Sequence, residues 1–374
     1  MPSCQSDVHF RSIFLGIPWN LFVPDQKIIM YITLRSVTIT EVNRTLTTYG
    51  IEFVPGSVNV RQVVNFCKLA ESKDIDYAWI TNHYNNRHCY PTLAAIAQAT
   101  STLKMGPGIM NSFTDTPAAI ASFVATLNEI ADGRATLGIG PGDLSTLPKL
   151  SIQPEKPVAR LEEAVGMIRE LLTGAEISKP GNTFFKYQGA KLTGVTLPGK
   201  KGIPVYIGAQ GPKVLELAGK VGDGALINAS NPKDFQIAIP IIKAACDKVG
   251  KKGFDVGAYT AMSIDRDQKK ARNAAKIVAA FIAAGSPPDL IARHGLDAAK
   301  VATIKGALAK FDFKTAGENV DDKTIDAFTI AGTPDVVKQK CEDLAKAGVT
   351  QIIFGSPLGP DMTNSIRLLG KYIV

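Results

Sequence analysis

The chain has 374 residues, 45% of them hydrophobic, with 33 glycines, which is enough to bury one large α/β core or two small ones. Forty-two Lys and Arg against 34 Asp and Glu leave a formal charge of +8, but the basic residues are scattered, which argues against nucleic acid as the partner. A mild positive field suits phosphorylated or polycarboxylate small molecules as well as it suits a solvated surface.

Residues 1–48 differ from the rest. Their apolar stretch, Ser12 to Val23, is too short to span a bilayer, carries Pro18 and Asn20, and has no small-residue cleavage site nearby. This segment is expected to be an extension, either a poorly ordered tail or an overlong start. From Tyr49 the pattern alternates. Tyr49 to Val54 reads as a strand, and Val60 to Ser72 places Val63, Val64, Phe66 and Leu69 at helical spacing. The cycle repeats with strands over 76–81, 104–109, 135–139, 205–207, 225–228, 256–263 and 351–354, each followed by an amphipathic helix. Eight such units predict a parallel sheet closed into a single (β/α)8 TIM barrel over residues 49–374, with insertions near 174–201 and 285–325. A doubly wound open sheet is the alternative, and the G-x-G-x-x-G that would mark it does not follow the first strand.

The first strand carries a single carboxylate, Glu52, in an otherwise apolar run. On an edge strand it would be solvated. In a closed parallel barrel both faces are buried, so Glu52 must be paired, hydrogen-bonded or held protonated, and the last state describes a general acid. It also lies near the carboxyl end of its strand, where barrel active sites gather.

Loops at the other strand ends are polar or glycine-rich: Thr81 to Asn86, Gly106 to Asn111, Gly138 to Asp143 and Gly208 to Pro212. Paired glycines at Gly106 and Gly108 let a backbone approach a flat ligand. Gly208 to Gly211 ahead of Pro212 forms a candidate phosphate site at a helix N-terminus, although such residues also make ordinary turns. The five cysteines, at 4, 67, 89, 246 and 341, form no C-x-x-C pair and no metal-ligand spacing with the four histidines, so a reducing cytoplasm and a metal-free protein are expected.

Six strings carry a specific resemblance: Tyr49 to Pro55, Tyr77 to Asn86, Gly133 to Asp143, Gly208 to Pro212, Asp223 to Asp234 and Ala283 to Pro288. Together they resemble the coenzyme F420-dependent 5,10-methylenetetrahydromethanopterin reductases, a branch of the luciferase-like barrels, from about Tyr49 to the C-terminus. The resemblance implies hydride transfer from the reduced deazaflavin to the methylene carbon of the pterin in archaeal one-carbon metabolism and methanogenesis. Protonation first opens the five-membered ring to an iminium. It further implies Glu52 as the acid, Asp143 as the carboxylate that holds the pterin, and Gln210 as the amide that orients it. Asn82, His83 and Asn111 are implied in contacts to the cofactor ring, Gly208, Ala209, Gln210 and Gly211 in contacts to its phosphate, and Gly108–Ile109 as a non-prolyl cis bond behind the ring. A homodimer or homotetramer without membrane or nucleic-acid partners is implied as well. Another F420- or FMN-dependent oxidoreductase, or a non-catalytic deazaflavin-binding barrel, is the alternative. The chain departs from the family pattern at Asn82, where the family has Asp, and at Ser112, where it has Pro.

Overall fold

Parallel strands enclosed by helices must bury both faces, and the alternating units after Thr47 do so by closing on themselves. The computed structural model describes residues 47–374 apart from 55, 57, 143–145, 200 and 201. The strands are β1 (Thr48–Phe53), β2 (Tyr77–Ile80), β3 (Lys104–Pro107), β4 (Met110–Asn111), β5 (Leu137–Gly140), β6 (Val205–Gly208), β7 (Gly224–Ile227), β8 (Asp255–Ile264), β9 (Thr329–Gly332) and β10 (Gln351–Leu358). All pairings are parallel, in the order β3-β2-β1-β10-β8-β7-β6-β5-β4, with β9 added beside β8. β3 and β4 are two pieces of one interrupted strand. The bridge between Met105 and Ala135 joins the ends of the path, so eight strands close a barrel as expected.

Two details differ from the sequence reading. The third strand is not continuous over 104–109: it breaks at Gly108–Ile109, whose peptide bond is cis. The 285–325 segment is built of the helices Pro288–Arg293, Ala298–Ala309 and Phe313–Glu318 with the start of Asp322–Phe328, which leads into β9. These helices bury an alanine-rich cluster that includes Ala275, Ala279, Ile304, Ala316 and Ile325. Asp234, in the first turn of the helix Pro232–Lys248, ties this layer to the barrel. It accepts from Arg293 Nη1 at 2.8 Å and meets His294 Nε2 at 3.1 Å. The 174–201 segment is largely irregular, with an isolated bridge between Ile177 and Ala190.

Inside the barrel, Tyr77, Trp79, Tyr206, Leu226 and Ile353 pack as a separate apolar cluster, with Ile109 and Tyr259 against it. Its polar atoms are satisfied at the bottom of the barrel. Trp79 Nε1 donates to Gln351 Oε1 at 3.0 Å, and Gln351 Nε2 and Tyr206 Oη both donate to Asp255 Oδ2, at 3.3 and 2.8 Å. These side chains fill the lower lumen, and a cavity opens at the carboxyl ends of the strands. The described cysteines, Cys67, Cys89, Cys246 and Cys341, are free and buried. Among the described residues no helix is long and apolar enough to cross a membrane, and no cluster of His, Cys, Asp and Glu could hold a metal. The expectations for residues 1–46, including Cys4, lie outside the described residues, as does Asp143.

Candidate active site

A cavity of about 920 Å³ opens at the carboxyl ends of the strands, which fits the usual place and size of a barrel's ligand site. Its walls come from the loops after β2, β4, β5, β6 and β7, together with Tyr259 of β8. Asn82, His83, Gly108, Ile109 and Asn111 all line it, and so does the run Gly208, Ala209, Gln210 and Gly211.

The local reasons for this arrangement can be read residue by residue. Ile109 projects from the interrupted third strand into space that only glycines leave free. A Cβ on Gly140 would come within 2.4 Å of Ile109 Cδ1, and one on Gly208 within 2.6 Å. These close approaches make a backbone wall against which a planar ring can lie. Asn111 closes an Asx turn, its Oδ1 accepting from the N–H groups of Phe113 and Thr114, both at 3.0 Å. Ser112 is held by Arg160, whose Nε donates to its carbonyl at 3.0 Å while the guanidinium lies over the rings of Phe113 and Phe185 at 4.8 and 4.6 Å. Arg160 thus binds the Asn111 loop to the 174–201 insertion. Gln210 Nε2 reaches the Asn228 carbonyl at 3.5 Å, a long contact that leaves the amide free to turn toward a ligand.

The same walls fit a flat anionic cofactor. Gly211 caps the helix Pro212–Val221 without a side-chain hydrogen bond, and a Cβ built on it would meet nothing within 4 Å. An uncapped helix start at the rim of a cavity presents N–H groups to an anion such as a phosphate.

Glu52 is 4% exposed, and its strand places it level with Trp79 of β2. Ser356 donates to Oε2 twice, from its N–H at 2.9 Å and its Oγ at 3.3 Å. Burial pushes the carboxyl up from 4.5 to about 7, against the pull of these two donors. Glu52 is not among the residues that line the cavity. Tyr259 is, and the sequence reading missed it: its hydroxyl donates to the Gly108 carbonyl at 3.3 Å. Asp115, also missed, faces the cavity with its carboxylate fixed by Tyr90 Oη at 3.1 Å and Thr114 Oγ1 at 2.9 Å. The available signal was a Thr-Asp pair just ahead of the Thr116-Pro117 helix start.

Fold and site together define a luciferase-like barrel. The family model described as luciferase-like monooxygenase matches residues 36–351. The 5,10-methylenetetrahydromethanopterin reductase of Archaeoglobus fulgidus is 49% identical over 87% of this chain and 98% of its own length. That of Methanolobus tindarius is 47% identical over 87% and 99%. The solved structure of the coenzyme F420-dependent tetrahydromethanopterin reductase of Methanopyrus kandleri superposes with a TM-score of 0.85 at 41% identity, covering 88% of this chain and 98% of that one. Within the luciferase-like barrels, this chain belongs to the family of 5,10-methylenetetrahydromethanopterin reductases.

Proposed function

We propose that this protein reduces 5,10-methylenetetrahydromethanopterin to the 5-methyl compound, reversibly, with reduced coenzyme F420 as the hydride source. When bound, the deazaflavin supplies the hydride. The chain's own residues supply a proton, an orientation and a dry wall. The observation that carries the reading is the Glu52 carboxyl, held near neutrality by burial beside a cavity wide enough for a planar cofactor and a pterin. A carboxyl at about 7 keeps its proton in a large fraction of molecules at working pH and still gives it up readily. That is what opening the five-membered pterin ring demands.

Gln210 orients the substrate through its amide, and Asp143, next in sequence to the cavity-lining Gly142, is assigned to holding the pterin and stabilising the positive charge that develops on the opened ring. Asn82, His83 and Asn111 contact the cofactor ring, the Gly108–Ile109 bond backs it, and the turn from Gly208 to Gly211 receives its phosphate. Asn82 makes a neutral contact where the family pattern has a carboxylate. The protein works in the cytoplasm as a homodimer or homotetramer. Mixing it with reduced F420 and methylenetetrahydromethanopterin tests the reading: stoichiometric methyl product is expected. Absence of that product together with tight FMN binding overturns it in favour of a flavin enzyme on the same barrel.

A further inference from the structure

The proposed acid is not among the residues that line the cavity it must serve. Glu52 sits in the lumen, level with Trp79, and both of its hydrogen bonds from Ser356 fall on Oε2, on the side of Gly355. A Cβ on Gly355 would lie 3.1 Å from that same oxygen. Toward the cavity, the interior position next to Trp79 is Gly108. A Cβ built there would come within 3.2 Å of Trp79 Cβ and within 2.6 Å of Tyr259 Oη. The Tyr259 hydroxyl therefore lies at Gly108 beside Trp79, the residue level with Glu52, and Tyr259 itself lines the cavity.

We propose that Tyr259 is a catalytic residue, its phenol hydroxyl passing the proton of Glu52 to the ring nitrogen of the pterin. The inference rests on the reductase function proposed above. In the step, the Glu52 O–H bond breaks and its proton bonds to Tyr259 Oη, while the proton already on Oη moves to the ring nitrogen. The carbon–nitrogen bond of the five-membered ring then breaks with its electron pair on that nitrogen, and the other nitrogen's lone pair forms the iminium. Tyr259 is neutral before and after. Glu52 is left as a carboxylate held by the two Ser356 donors, and the iminium carbon takes the hydride. Reprotonation of Glu52 closes the balance, using the proton that the deazaflavin releases when it gives up its hydride.

A phenol is suited to this position. Burial, and then the nearby Glu52 charge, hold Tyr259 well above the usual phenol range, so it stays protonated and transmits a proton without becoming a store of charge. One hydroxyl donates and accepts at the same oxygen, as the transfer requires. Its present acceptor, the Gly108 carbonyl, lies at 3.3 Å, a long bond that is readily exchanged for one to a substrate.

Tyr259→Phe keeps the ring in the lumen and removes the relay atom. The expected loss in kcat is on the order of 100-fold, with KM for both substrates within about threefold. Deazaflavin affinity, titrated without pterin, should be unchanged. The double variant Glu52→Gln with Tyr259→Phe should be no slower than the slower single variant, because both act on one transfer. Normal kcat in Tyr259→Phe, losses that multiply in the double variant, or a loss expressed as weaker deazaflavin binding each overturn the relay. The last outcome would reduce Tyr259 to a support for Gly108. The protein alone gives a readout independent of turnover. The infrared carboxyl band that Glu52→Gln removes should shift in Tyr259→Phe, and an unmoved band overturns the relay even where the pterin reaction is found. Absence of methyl product from wild type, with the band shift present, instead overturns the proposed substrate.

Discussion

Replacing Glu52 by Gln should make the protein more stable and nearly inactive, and the stability gain should depend on pH. Burial lifts the carboxyl from 4.5 to about 7, so the native state holds its proton more tightly than the unfolded chain does. Below about pH 4.5 the group is protonated in both states and contributes nothing. Between about pH 4.5 and 7 the unfolded chain ionises while the native carboxyl keeps its proton, so stability is lost over this interval and levels off once the native group ionises as well. At about 1.4 kcal/mol per pH unit, the interval between the two values corresponds to about 3 kcal/mol above pH 8. Gln has the shape of the protonated acid, can keep its oxygen toward the two Ser356 donors, and carries no charge at any pH. Glu52→Gln should therefore match wild type within about 0.5 kcal/mol at pH 4.5 and exceed it by about 3 kcal/mol at pH 8. For a chain of this length the difference is about 4 °C in melting temperature, measurable by differential scanning fluorimetry across pH. In the same variant kcat should fall on the order of 100-fold and lack the decline expected of wild type as pH rises through 7. A melting difference of the same size at pH 4.5 and pH 8, or near-normal kcat, refutes the reasoning.

Other substitutions probe the walls. Gly108→Ala places a Cβ 2.6 Å from Tyr259 Oη beside the cis bond, and equilibrium titration should show deazaflavin affinity reduced at least tenfold. Gln210→Ala removes an amide that holds no short internal hydrogen bond, so it should raise pterin KM by about tenfold with little change in melting temperature. Arg160→Met should cost about 2 kcal/mol in denaturant unfolding, from the lost bond to the Ser112 carbonyl and the cation–π contacts to Phe113 and Phe185. It should also weaken cofactor binding, since the Asn111 loop then loses its anchor.

What the sequence made legible follows from how each signal is encoded. The barrel strands and their helices were readable because each strand is a compact apolar run and each helix repeats its apolar positions at helical spacing. β9 was not: Thr329-Ile-Ala-Gly332 is short, follows a helix directly, and gains its pairing from the far end of β8, a contact between segments more than sixty residues apart. The break in the third strand was invisible to periodicity, since 104–109 is continuous in polarity, and it entered only through the family resemblance. Loop residues such as Asn82, Gln210 and Gly211, which line the cavity, could be named because polar and glycine-rich strand ends stand out against apolar strands. Asp143 ends another such loop and was assigned its role through the family resemblance; it lies outside the described residues.

Tyr259 shows the limit of that reading and what the site gains from it. Within Val256 to Ser263 each face mixes small, apolar or aromatic residues with one hydroxyl, Thr260 on one and Ser263 on the other, so no alternation says which side chains enter the lumen. Register supplies the missing information. Tyr259 is level with Ile353 of β10, and Ile353 with Gly50 of β1, so Tyr259 shares the interior face with Glu52. The chain can therefore bury its carboxyl deep enough to lift it toward neutrality, which requires distance from water, and still deliver the proton, which requires reach. A carboxyl placed directly on the cavity wall would be solvated whenever the cavity is open and would fall back toward its ordinary value, losing the property that makes it an acid at working pH. Depth for the acid and a phenol for reach resolve that conflict with two inward side chains on strands separated only by β10.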